Sequence, residues 1–100
     1  KHYSSPLVVA EATLEIAKLV YYGLKGEYLL PKKYYFVTPQ GVSSQLLNAL
    51  NNPEKLRNEL IRRWEKTCAS KITSKQKVTL NEEIKEYIQK MDFSIFDHVP

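Results

Sequence analysis

Cysteine is nearly missing from this sequence. Cys68 stands alone among 100 residues, so no internal disulfide can form, and the chain suits a reducing compartment. Glycine is scarce as well, three in the whole chain, and the turn around Gly41 lacks the further glycines and the lysine of a phosphate loop. No apolar run exceeds four residues, well short of the ~18 needed to span a bilayer. Leu7-Val8-Val9-Ala10 is too short for a signal-peptide core, and Glu11 follows it directly. Asn-x-Ser/Thr, Gly-x-Ser-x-Gly, His-Glu-x-x-His and Cys-x-x-Cys are all lacking. The expectation is an intracellular, cytoplasmic protein with no membrane partner. It reads as non-catalytic on its own, with no cofactor and no metal site.

What is present is a globular composition, 43% hydrophobic, in a chain the size of one small domain. Residues 1–100 read as that one domain. The first residue is lysine rather than methionine, and a fragment or C-terminal part of a larger protein is expected.

Periodicity predicts an α+β, mostly helical fold with four helices, at about 6–22, 44–51, 53–69 and 80–91. In the first, Ser5 suits the cap and Pro6 the first helical position, and Gly23 ends it. Its apolar residues cover nearly the whole circumference, which predicts burial on several sides and suggests a partner surface outside the chain. Ser43 or Ser44 caps the second helix. Pro53 opens the third, whose stripe is Leu56, Leu60, Ile61, Trp64 and Cys68. Thr79 or Asn81 caps the fourth.

One buried strand is predicted at about 33–38, around Tyr34-Tyr35-Phe36-Val37. It shows no polar alternation, so both faces read as covered. A strand cannot satisfy its own backbone groups. Phe93 to Phe96 is the candidate second short strand (93–96). Otherwise the partner comes from another chain or a second copy, making this a protein-interaction or self-assembly module. A brief extended piece is also expected at Tyr28-Leu29-Leu30.

Charge is unevenly spread within a net +4. Residues 55–77 hold eight basic side chains, Lys55, Arg57, Arg62, Arg63, Lys66, Lys71, Lys75 and Lys77, against two acidic ones, Glu59 and Glu65. Residues 78–100 are net acidic. The basic block reads as a helix and loop facing nucleic-acid phosphates of DNA or RNA, with little sequence preference. A solvated helix face, or a contact with an acidic protein partner, explains the same charge.

Weaker candidates accompany it. Gly41, Ser43 and Ser44 sit at a strand-to-helix turn of the kind that binds anions, although an ordinary serine cap explains them. Glu11, Glu15 and Lys18 share a helix stripe but are too few for a metal site. The seven tyrosines can stack on bases, and more often fill cores. Trp64 and Cys68 read as core, and His2 and His98 stand without partners.

In architecture alone, a helix followed by a strand buried on both faces resembles the trailing half of a restriction-endonuclease-like core. The acidic and lysine strand motif of that fold is not in these residues. The resemblance therefore implies catalytic residues outside this chain.

Overall fold

In a computed structural model, all residues are described except Lys1, His2, Ser4 and Tyr28. The expectations for His2 and for the extended piece starting at Tyr28 fall outside the described residues. The order is α1 (Val9–Leu24), β1 (Tyr34–Val37), α2 (Ser44–Leu50), α3 (Pro53–Arg63), α4 (Glu82–Lys90) and β2 (Phe96–Val99). Among the described residues this is a mostly helical α+β fold, with four helices and a two-stranded parallel sheet.

The orphan strand finds its partner in the C-terminal tail. β1 and β2 run parallel, with Tyr34 opposite Phe96 and Val37 opposite Val99. The second strand lies three residues beyond the predicted 93–96. Phe93–Ile95 instead forms a 3-10 turn, because the Asp92 carboxylate accepts the Ser94 N–H at 2.9 Å and coils the chain there. Aromatic rings lock the pair: Tyr34 and Phe36 stand 5.1 Å apart and Tyr34 and Phe96 5.7 Å, both edge-to-face. Only one face of β1 is well covered, since Tyr35 is 47% exposed. The uninterrupted apolar run had implied two covered faces.

α1 is the central helix. Its buried residues, including Ala12, Ile16, Ala17 and Val20, pack against α2, α3 and α4. The near-complete apolar circumference is thus largely met within the chain rather than by an outside surface. The helix starts three residues later than predicted, at Val9. Leu7 is held extended, donating its N–H to Gly41 O at 3.0 Å and accepting from Ser43 N at 2.8 Å. Pro6 therefore precedes the helix, and the Glu11 carboxylate takes the Val8 N–H instead of a serine cap. At the other end α1 runs through Gly23. It stops at Gly26, whose φ of 78° lets Gly26 N reach Gly23 O and Glu27 N reach Tyr22 O, a Schellman motif.

α2 and α3 form the predicted hairpin, capped by the side chains of Ser43 and Asn52. α3 then widens into a single π turn over Trp64–Cys68, where Ala69 N donates to Trp64 O at 2.7 Å. Asn81 caps α4 by accepting the Ile84 N–H at 2.8 Å. Among the described residues no helix is long and apolar enough to cross a membrane.

Candidate nucleic-acid interface

The basic block divides into three parts. Arg57 faces inward. Its side chain is 11% exposed and lies over the Phe93 ring at 5.0 Å, and it pairs with Glu54. It donates to Ile88 O at 3.2 Å and Met91 O at 2.6 Å. These are carbonyls at the C-terminal end of α4, which a cation satisfies well. The guanidinium is committed to the fold and does not belong to the exposed cationic surface.

Lys55, Arg62, Arg63 and Lys66 share one helical face, because their spacings of three, four and seven residues return to the same side. The first three line a groove of about 160 Å³ with Gln45 and Glu59. Glu59 organises this face. It accepts from Arg62 at 2.6 Å and from Arg63 at 3.0 Å, fixing both guanidinium groups from one carboxylate. Partial burial pushes the Glu59 carboxyl upward, but hydrogen bonds from Arg63 and Arg62 outweigh it and hold the group below its usual value. Arg62 stays 55% exposed, and Lys55 and Lys66 are exposed at either end of the stripe. Three cations about one anion leave the groove electropositive.

Lys71, Lys75 and Lys77 lie on the exposed segment between the π turn and α4. This loop is fastened at its ends, with Ile72 N donating to Cys68 O at 3.1 Å and Val78 N to Ala69 O at 2.8 Å. Lys77 makes a long ion pair with Glu65, at 3.9 Å. The loop lies against the C-terminal end of α1, where Lys75, Gln76, Tyr21, Tyr22 and Lys25 line one hollow.

Lys25 and Gln76 were not foreseen as site residues, and Tyr21 and Tyr22 were weighed only among the seven tyrosines able to stack on bases. Tyrosine at the end of an apolar helix reads as core from sequence. The signal was the Tyr21-Tyr22 pair with Lys25 four residues beyond Tyr21. That spacing places the Lys25 ammonium 4.9 Å above the Tyr21 ring.

The turn at Gly41 is built as a cap. Gly41 N donates to Thr38 O at 2.9 Å, Ser43 N to Leu7 O, and Ser43 Oγ accepts the Leu46 N–H at 3.1 Å. Those donors are engaged within the fold, and Ser44 is exposed beside them. Glu11 caps α1 and Glu15 pairs with Lys18 at 3.3 Å. Cys68 is buried, and burial pushes its thiol upward despite the opposing effect of the neighbouring Thr67 and Thr13 hydroxyls. Among the described residues no three His, Cys, Asp or Glu side chains come together as a metal would need.

Compared with models of protein families, with curated proteins and with solved structures, the chain matches none.

Proposed function

We propose that this chain is a non-catalytic accessory domain of a larger protein, contacting nucleic-acid phosphates through the exposed cations of residues 55–77. The observation that carries the reading is the α3 face. Lys55, Arg62, Arg63 and Lys66 line up along one helix, and Glu59 holds the two arginines in place. A pre-ordered guanidinium loses less side-chain freedom on meeting a phosphate than a free one does. Phosphate contact carries little sequence information, so the expected binding is salt-sensitive and sequence-tolerant.

The experiment is binding of labelled DNA and RNA across a salt series. Affinity should fall linearly in log salt, and Arg62→Ala with Arg63→Ala should weaken binding and flatten the slope by roughly one to two phosphates' worth. Unchanged affinity and slope in that double variant sinks the proposal.

A second reading, a module completed by a partner strand, is favoured by the edges of the sheet. Thr38 N donates to Val99 O at 2.7 Å, so alternation turns the backbone groups of Tyr35 and Val37 away from β2. Among the described residues they have no partner. The outer edge of β2 is blunted instead, because the Asp97 carboxylate accepts the His98 N–H at 2.8 Å. β1 is thus the open edge, and Tyr35→Pro should abolish any assembly that uses it. Assembly that survives this change excludes pairing at that edge.

A further inference from the structure

The α3 face explains four of the eight cations in the basic block, and the loop cations lie beside a different kind of surface. We propose that the hollow between the C-terminal end of α1 and the 71–79 loop is a nucleobase subsite, so that the ligand is single-stranded nucleic acid rather than duplex. This rests on the phosphate-binding reading above and specifies its ligand.

Two adjoining hollows, of about 320 and 360 Å³, share Tyr21, Lys25 and Gln76 as their common wall. Each is roomy enough for a planar base. The Tyr21 and Tyr22 rings meet edge-to-face at 5.0 Å, so they stiffen one another and supply an aromatic wall. Gln76 Nε2 reaches the Tyr21 hydroxyl at 3.5 Å and Lys25 Nζ reaches it at 3.4 Å. Loop and helix are therefore joined across the site by groups that can also exchange hydrogen bonds with a base edge.

The charge pattern separates base from phosphate. Lys25 lines both hollows, with Lys75 in one and Lys77 in the other. Each hollow also holds one carboxylate, Glu27 in one and Glu83 in the other. A carboxylate repels a phosphate but accepts a hydrogen bond from a neutral base. Phosphates then track the lysines while the base enters between the carboxylates. Bases in a duplex are stacked and paired and cannot enter such a hollow, whereas unpaired bases stack readily on tyrosine.

The test measures binding of short labelled oligothymidylate, oligouridylate and a hairpin duplex of equal phosphate number, at low salt and across a salt series. Single strands should bind about tenfold more tightly than the hairpin, and adding oligodeoxyuridylate, which differs from oligouridylate only in the 2′-hydroxyl, identifies the sugar preferred. Tyr22→Leu, which keeps apolar bulk and removes the π face, should weaken single-strand binding about five- to tenfold, without changing the salt slope or the hairpin affinity. Tyr22→Phe should restore it, and thermal unfolding of both variants checks that the fold is intact. Equal affinity for single strands and hairpin overturns the subsite. So does unchanged single-strand binding in Tyr22→Leu while the arginine pair on α3 still matters; either result leaves the phosphate reading standing. No binding of any probe at low salt overturns both.

Discussion

The indole N–H of Trp64 donates to the carbonyl oxygen of Val78 at 2.8 Å, across fourteen residues of chain. Both residues are buried, and the bond pins the far end of the lysine-rich loop to the π turn from which it leaves. The cationic loop is thus anchored from the core rather than left to find its own place. Trp64→Phe keeps most of the packing but strands the Val78 carbonyl, with an expected cost of about 1–3 kcal/mol. Trp64→Ala adds a cavity, and about 3–5 kcal/mol is expected. Denaturant unfolding measures both; a loss below about half a kcal/mol in Trp64→Ala would remove this residue from the core.

Arg57 and the Arg62/Arg63 pair should respond in opposite ways. Arg57→Met leaves the carbonyls of Ile88 and Met91 without their cationic donor, and about 2–3 kcal/mol of stability should be lost. Its nucleic-acid affinity should match wild type once the protein is folded. Arg62→Ala with Arg63→Ala should show the reverse, weaker binding with a small stability change. An Arg57 variant that binds more weakly while fully folded would return Arg57 to the interface.

Glu59 links stability to acid. Its folded-state carboxyl is held below the usual 4.5, so the group stabilises the fold above its unfolded value, and that contribution fades as pH falls through the depressed one. Wild type should lose its advantage over Glu59→Gln across that window and keep it near neutrality. Urea midpoints at a series of pH values read this directly. A constant difference between the two proteins would show that the arginine contacts do not depend on the charge of Glu59.

Gly26 closes α1 with a φ of 78°, and a Cβ placed there meets nothing within 4 Å. Gly26→Ala therefore carries backbone strain without a clash, and about 1–2 kcal/mol is expected from the left-handed conformation alone. Because Lys25 and Glu27 flank it, the same change should disturb the hollow beside Tyr21. The check is thermal unfolding, where an unshifted midpoint would contradict the Schellman closure.

Helix boundaries were legible where the local chemistry was self-sufficient. Ser43, Pro53 and Asn81 start α2, α3 and α4 as their residue types dictate. Ser5 and Pro6 misled, because the competing claim on Leu7 comes from Gly41 and Ser43, far along the chain. The cationic face of α3 was visible in its spacing. Arg57, two residues beyond Lys55, falls off that face by the same spacing, but its capture was not legible, since α4 has to arrive before its carbonyls can take the guanidinium. The tyrosines at the end of α1 showed their partner Lys25 by spacing but not the hollow itself, because the wall opposite them is a loop about fifty residues away.

By itself the sequence determined the mostly helical α+β class, the amphipathic stripe of α3 and the concentration of positive charge in residues 55–77. Periodicity, capping and charge are properties of neighbouring residues, and they act before distant segments meet. Only the tertiary structure decided that β1 pairs with the tail, that the pairing is parallel, and which cations face water. Strand partners and the inward turn of a long arginine side chain are settled by which backbone groups are left unsatisfied once the helices have packed, and that depends on the whole fold.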